Sequence, residues 1–155
     1  NSHKYASKLI KESEKESSYT GEIEGVKVKA RPDISHELAL IDLKTCASSN
    51  PLDFSNSMSK YYYHVQAAFY LDVVNQTRKA EGKEKLEQFL FIAVETKAPF
   101  KVAVYEIPEG DIERGREVYL KDLMKYKKFL QTGEIEEEYT GITVLPIRPW
   151  SYYND

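Results

Sequence analysis

The sequence has little cysteine and no long apolar run, and both absences narrow the class of protein. Its 155 residues include one cysteine, Cys46, so no disulfide can form within the chain, and a reducing compartment is the natural setting. No stretch of the sequence reaches the ~18 apolar residues that a membrane-spanning helix needs. The N-terminus also lacks the apolar segment of a signal peptide. We therefore expect a cytoplasmic protein that makes no membrane contact.

Neither sign of charge dominates the chain. The formal net charge is −3, with 30% charged and 41% hydrophobic residues, which is the composition of a folded globular domain. This balance argues against a uniformly basic nucleic-acid-binding protein but allows a local basic groove, because a site that binds phosphate through metal ions needs carboxylates. The length suits one domain with one core. We take residues 1–155 as that domain and, since the chain starts without methionine, expect a fragment lacking upstream sequence.

The order of apolar patterns predicts an α/β fold. Alternating residues indicate strands, and residues spaced three or four apart indicate helices. A single domain with a central mixed β-sheet flanked by helices follows from this order. The predicted elements are a helix at 1–16, a β-hairpin at 17–33 turning near Gly25, a strand at 37–45, a loop at 46–60, a helix at 60–80, strands at 87–96 and 100–108, a helix at 109–133, and an extended tail at 142–155.

Charged residues interrupt the most apolar of the predicted strands. Asp42 and Lys44 follow the run LALI, and their spacing of two places both side chains on the same sheet face. Asp33 ends the preceding strand, and antiparallel pairing through the short connection ISHE would bring it close to Asp42. Two adjacent carboxylates repel each other unless a cation lies between them. Oxygen ligands without a Cys or His cluster favour Mg²⁺ or Mn²⁺ over Zn²⁺.

A D-x-K triplet also occurs on solvated strand edges, so by itself it does not identify a site. Its position after an apolar run, with RPD at hairpin spacing before it, favours a functional role. Lys44 would then orient or deprotonate an attacking water, while the metal would stabilise charge on a phosphodiester.

The segment KYYYHVQAAFYLDVV, residues 60–74, carries more polar-tipped side chains than an ordinary buried helix. Such groups need hydrogen-bond partners, so a polar surface should face this helix. Gln66 and Tyr70 are four residues apart and therefore share one helix face. His64 lies about 200° around the helix from Gln66, and we expect it to pack. The other aromatic residues are predicted mostly to form core and wall, with stacking on bases as the less favoured alternative: Tyr61, Tyr62, Tyr63 and Phe69.

The motifs RPD, DLKT and YHVQAAFY, in this order, resemble the PD-(D/E)XK nuclease superfamily, and specifically its RecE-type (exonuclease VIII) branch with a RecB-like Q-x-x-x-Y motif. The resemblance runs from about Glu16 to the C-terminal end. It implies a restriction-endonuclease-like fold and a Mg²⁺-dependent exonuclease, with Mn²⁺ as a substitute ion. The substrate would be the ends of linear duplex DNA, resected 5′ to 3′ for phage-type recombination. A homo-oligomeric ring and a single-strand annealing protein would be partners.

The resemblance also implies a metal-ligand set. Asp33 and Asp42 would bind the ion together with the backbone carbonyl of Leu43. Related nucleases have a further ligand on an upstream helix, and this sequence gives no matching residue there. We expect His3 to be surface, and Glu16 is a candidate ligand that aligns with a strand acid of the family.

The remaining roles implied by the resemblance are catalytic. Lys44 would act on the water, and Gln66 and Tyr70 would contact the DNA backbone or hold catalytic groups. Two alternatives stay open: an inactive or incomplete nuclease-fold DNA-binding module, and another RecB-like nuclease. A CRISPR-adaptation nuclease is disfavoured because its iron–sulfur cluster needs several cysteines and the chain has one.

Overall fold

The computed structural model describes residues 3–135 and 141–147. No helix in these two ranges is long and apolar enough to span a membrane. Residues 142–147 contain no helix or strand, and the rest of the predicted tail lies outside the described residues. The elements are α1 Lys4–Lys11, β1 Glu14–Lys15, β2 Tyr19–Ile23, β3 Val26–Ala30, β4 Ile34–Ser35, β5 Ala39–Cys46, α2 Pro51–Lys60, α3 Tyr63–Ala80, β6 Gln88–Glu95, β7 Val102–Glu106 and α4 Glu109–Thr132.

Five of the strands form one mixed sheet in the order β1-β4-β5-β6-β7. Strands β5 and β6 are parallel, and the other neighbours are antiparallel. A parallel pair needs a crossover connection, which α2 and α3 supply here. The predicted α/β fold with a central mixed sheet is confirmed, but the expectation of a single sheet is wrong because β2 and β3 form a sheet of their own.

The β2–β3 hairpin packs against α3 rather than extending the main sheet. Its turn residues Glu24 and Gly25 have positive φ angles of 51° and 78°, the left-handed geometry that two-residue hairpin turns favour. The Gln76 amide on α3 accepts a hydrogen bond from the Glu22 backbone N–H and donates one to the Glu22 carbonyl, both at 3.0 Å. The helix therefore satisfies backbone groups that another strand would otherwise pair.

Both faces of the central sheet are covered, and β5 shows the alternation. Leu40 packs into the core on the α3 side, whereas Ile41 packs with Ala6 and Leu9 of α1 on the opposite side. Strands buried on both faces have the dense apolar content seen in LALI. The same alternation directs the next residue, Asp42, toward α3.

The predicted loop at 46–60 is wrong, because residues 51–60 form α2. The Asn50 side chain accepts a hydrogen bond from the Leu52 N–H at 2.9 Å, and Pro51 occupies the first helical position. Both are strong helix-start signals. The sequence of α2 lacks an apolar helical pattern because Phe54 is its one buried residue.

Helix α3 begins at Tyr63, three residues later than predicted, because Tyr62 adopts a left-handed conformation with φ 54°. This break separates α2 from α3 and turns two tyrosines outward. Tyr61 and Tyr62 are 58% and 61% exposed, so neither belongs to the core, and that part of the prediction is wrong. Tyr63 and Phe69 are partly buried against the core, as predicted.

Helices α3 and α4 approach closely at Gly115. A Cβ atom on Gly115 would overlap the carbonyl oxygen of His64, so the crossing requires glycine. Nearby, the Arg116 guanidinium donates two hydrogen bonds to the Asp72 carboxylate at 2.7 and 2.8 Å, and the Tyr119 hydroxyl donates a third. This contact fixes the helix that carries Gln66 and Tyr70.

Candidate active site

The β4–β5 pairing places two carboxylates opposite each other. Ile34 pairs with Ile41, so the next pair in this register is Asp33 and Asp42. The Asp33 carboxylate accepts a hydrogen bond from the Leu43 backbone N–H at 2.8 Å, which ties it to the strand that carries Asp42. Asp33 precedes β4 and does not end the hairpin strand β3 as predicted. The expected proximity arises from the short β4–β5 connection instead.

Asp42, Lys44 and Gln66 form a closed ring of polar contacts. The Gln66 amide donates to Asp42 Oδ1 at 2.8 Å, and Lys44 Nζ donates to Gln66 Oε1 at 2.9 Å. The ammonium lies 2.7 Å from Asp42 Oδ2. One amide therefore uses its donor on the acid and its acceptor on the base, which holds the two charged groups side by side.

Asp42 is the most perturbed acid of the cluster. Its residue is 4% exposed, and burial raises the pKa of its carboxyl group, with a smaller rise from the charge of Asp33. Lys44 and Gln66 oppose this rise, since both favour the charged form. Among the described residues, no donor makes a well-directed hydrogen bond to Oδ2, although the Lys44 ammonium is in ion-pair contact with it. This oxygen is therefore suited to bind a cation.

Two aromatic rings cover the Lys44 ammonium. Its Nζ lies 4.6 Å from the centroid of Tyr63 and 5.9 Å from that of Phe91, within the range of cation–π attraction. Burial raises the pKa of the Tyr63 hydroxyl, so the ring stays neutral. We did not predict this role for Tyr63, but its position three residues before Gln66 places it on the same helix face.

Tyr70 lies one turn along α3 from Gln66 but outside the polar ring. Its ring contacts those of Phe69 and Phe89 and is partly buried against the core. Within the described ranges its hydroxyl makes no hydrogen bond. The oxygen is thus available for a further hydrogen bond.

The two upstream candidates have other contacts. Glu16 pairs with Arg31 at 2.9 Å, and both side chains are exposed. The backbone N–H of Glu16 donates to the carbonyl of Asp33 at 3.0 Å. The backbone of Glu16 therefore lies next to the site, but its side-chain carboxylate pairs with Arg31. His3 caps α1, where its Nδ1 accepts the N–H of Ala6 at 3.2 Å; this capping role adds to its predicted surface position.

The donor set fits part of a divalent-metal site. No group of three His, Cys, Asp or Glu residues able to hold a metal occurs among the described residues. Asp33 and Asp42 supply two carboxylates, one of them buried with an oxygen lacking a directed donor. Mg²⁺ commonly takes one or two protein carboxylates and completes its coordination with water and phosphate oxygens. The pair suits such an ion better than it suits Zn²⁺.

Comparison with known proteins identifies one family. The model of the PDDEXK-like domain of unknown function (DUF3799) matches residues 1–142. A crystal structure from Eubacterium rectale, described as a candidate exonuclease, superposes with a TM-score of 0.67 at 22% identity, covering 97% of this chain and 60% of that one. The structure of SSO0001 has a TM-score of 0.43 at 21% identity, covering 74% and 53%. No curated protein matches significantly.

The first of these structures shares the fold of the chain. The chain spans about three-fifths of the length of that protein. The family match covers most of the chain and includes every residue of the polar ring.

Proposed function

Since the chain belongs to the PDDEXK-like domain family DUF3799, we propose that it is a divalent-metal-dependent nuclease that hydrolyses phosphodiester bonds in DNA. The observation that carries this proposal is the ring joining Asp42, Lys44 and Gln66 beside Asp33. Burying Asp42 and Lys44 at the end of a strand costs folding free energy, because both charges lose contact with water. The same groups can bind a metal ion and a water, as phosphodiester hydrolysis requires.

Asp33, Asp42 and the backbone carbonyl of Leu43 would hold the ion, with Mg²⁺ as the expected ion and Mn²⁺ as its substitute. When bound, such an ion neutralises developing charge on a phosphodiester and lowers the pKa of a bound water. The hydrogen bond from the Leu43 N–H to Asp33 orients that carboxylate toward its partner. Without an ion, Asp33 raises the pKa of Asp42.

Lys44 is positioned to hydrogen-bond and orient the attacking water. An ammonium has three N–H donors; one is donated to Gln66 Oε1, and the group is in ion-pair contact with Asp42 Oδ2. A further N–H can hydrogen-bond a water or a phosphate oxygen. The Tyr63 ring over Nζ limits access of bulk solvent, which strengthens the electrostatic effect of the charge.

Gln66 and Tyr70 divide the two roles expected of the helix. Gln66 holds catalytic groups, because both ends of its amide are engaged by Asp42 and Lys44. The hydroxyl of Tyr70 would contact the DNA backbone. The Q-x-x-x-Y motif would therefore position both Lys44 and the substrate.

The finer part of the proposal is an exonuclease that acts on the ends of linear duplex DNA. Cleavage from 5′ to 3′, resection for phage-type recombination, a homo-oligomeric ring, an annealing protein as partner and a cytoplasmic setting are proposals taken from the resemblance to RecE-type enzymes. A second candidate is an inactive nuclease-fold DNA-binding module. It is favoured by the finding that the described residues bring two acids together and not three.

A cleavage assay separates the two candidates. Linear duplex DNA labelled at either the 5′ or the 3′ end is incubated with Mg²⁺, beside a covalently closed circle. We expect loss of the linear DNA alone, abolished by EDTA and by Asp42→Asn. The control is Asp53→Asn, which alters an exposed acid on α2 and should leave the rate unchanged. DNA binding without cleavage would favour the inactive module, and equal cutting of the circle would exclude an exonuclease.

A further inference from the structure

The junction between α2 and α3 presents two exposed tyrosine rings, and that of Tyr61 lies next to the candidate active site. Tyr61 and Tyr62 are largely exposed, in contrast to the other aromatic residues at the start of this helix. Single exposed apolar residues are common on proteins, so exposure by itself assigns nothing. The contacts, backbone and charges of these two residues carry the argument.

The Tyr61 ring is connected to Lys44 through the ring of Tyr63. It stacks on the ring of Tyr63, with centroids 5.8 Å apart and planes 23° apart. Tyr63 in turn lies over Lys44, whose Nζ is 4.6 Å from its centroid. A single aromatic ring therefore separates the exposed surface from the ammonium that we assign to the attacking water.

The backbone of the junction is held by the helix that carries Gln66. The Tyr62 carbonyl accepts hydrogen bonds from the N–H groups of Val65 at 3.0 Å and Gln66 at 3.2 Å. The Tyr61 N–H donates to the Ser57 carbonyl at 2.9 Å. These bonds hold the backbone of both tyrosines within about one turn of Gln66, the residue that positions the lysine.

Folding stability does not explain a tyrosine at position 62. Its positive φ of 54° is a conformation that glycine and asparagine adopt more readily. The ring lies near that of His64, with centroids 6.0 Å apart, but it remains 61% exposed and so gains little from packing. A bulky aromatic residue held in an unfavourable backbone conformation and directed to solvent is typical of a binding surface.

Positive charge lies on the same surface. Lys60 Nζ is 5.3 Å from the centroid of Tyr61, and Lys44 lies beyond Tyr63. Aromatic rings flanked by ammonium groups are the arrangement that binds single-stranded nucleic acid, since bases stack on the rings while phosphates pair with the cations.

We propose that Tyr61 and Tyr62 form a stacking platform for an unpaired base at the end of the DNA strand, with Lys60 contacting a neighbouring phosphate. The assignment rests on the proposed nuclease function and deepens it. Bases inside a duplex are stacked on each other and cannot reach the rings, so the platform takes a frayed or single-stranded end. Because every base has an aromatic face, the binding tolerates any sequence.

The test uses a DNA duplex with three unpaired terminal nucleotides, the last being the fluorescent base 2-aminopurine, at either the 5′ or the 3′ end. Binding is measured in EDTA, so that no cleavage occurs. We expect the wild-type protein to quench the fluorescence at one of the two ends. The double variant Tyr61→Ala/Tyr62→Ala should lose the quenching and bind this DNA at least about fivefold more weakly, from the stacking contribution of a base.

Two variants control the experiment. Tyr61→Phe keeps the aromatic face and should retain quenching. Tyr126→Ala removes a comparably exposed tyrosine from α4, whose ring contacts Phe129, and should behave as the wild type. Equal melting temperatures establish that each variant is folded.

The outcomes separate the platform from the nuclease. If the wild-type protein cleaves DNA but the double variant quenches and binds as well as it does, the platform is wrong and the nuclease proposal stands. If the wild type quenches through these tyrosines but never cleaves, the platform stands and the nuclease proposal fails. A wild-type protein that neither binds nor cleaves DNA overturns both.

Discussion

Replacing Lys44 with methionine tests whether the ammonium stabilises a buried charge. The variant Lys44→Met keeps an unbranched side chain but removes the ammonium, which lies beside Asp42 and over the Tyr63 ring. The Asp42 carboxylate would then be buried opposite Asp33, with Gln66 as its remaining hydrogen-bond donor among the described residues. The ion pair at 2.7 Å predicts a substantial cost in folding stability.

The magnitude follows from the geometry of the pair. Removing one partner of a buried ion pair costs about 3–5 kcal/mol. Lys44 is partly exposed and Gln66 remains bonded to Asp42, so we expect a smaller cost, about 2–3 kcal/mol near pH 8. The same substitution at Lys29, an exposed residue of β3, should change the free energy of unfolding by less than about 0.5 kcal/mol.

The cost should depend on pH in a defined direction. Burial raises the pKa of Asp42 in the folded state, so the folded protein binds more protons than the unfolded chain between the two pKa values, and stability falls as the pH rises through that interval. Loss of the ammonium raises the folded pKa further. The difference between Lys44→Met and the wild type should therefore be smallest at acid pH, where Asp42 is protonated in both states, and largest above neutrality.

Urea unfolding at several pH values between 4 and 8 measures this difference. Adding Asp42→Asn to Lys44→Met removes the buried charge and should restore most of the stability lost at pH 8. A loss that is equal at every pH, or one that Asp42→Asn fails to relieve, would refute the assignment of the ion pair as the cause.

Three further predictions concern α3 and its packing against α4. Gln66→Ala removes hydrogen bonds to both charged partners, and it should cost about 1–3 kcal/mol and slow cleavage about 100-fold through misplacement of the lysine. Tyr70→Phe should leave the free energy of unfolding within about 0.5 kcal/mol yet slow cleavage about tenfold, as expected for a lost contact to phosphate. Gly115→Ala should cost about 2–3 kcal/mol by overpacking against the His64 carbonyl, whereas Gly110→Ala, where a Cβ meets no atom within 4 Å, serves as the thermal-unfolding control. Cleavage by Gln66→Ala at the wild-type rate, or a stable Gly115→Ala, would contradict these contacts.

Features set by neighbouring residues could be predicted from the sequence. The hairpin turn at Gly25 needs only a left-handed residue between two alternating runs. The common face of Asp42 and Lys44 follows from the two-residue period of a strand. The short connection after Ser35 limited how far Asp33 could lie from Asp42, so their proximity followed as well.

Features set by contacts distant in sequence could not be predicted. The hydrogen bond from Lys44 to Gln66 joins residues 22 apart, and the sequence does not show which partner the amide selects. The break at Tyr62 depends on how α2 packs through Phe54, because tyrosine itself has no preference for a left-handed backbone. The two-stranded sheet lies on α3 through Gln76, a docking contact that alternation cannot reveal.

The central claim is that Asp33 and Asp42 bind a divalent ion next to Lys44. Crystals soaked in Mn²⁺ and measured at a wavelength where manganese scatters anomalously test it directly. We expect one anomalous peak between the two carboxylates, lost in Asp42→Asn crystals, with Asp42 Oδ2 among its ligands. A peak elsewhere, with none between Asp33 and Asp42, would contradict the account.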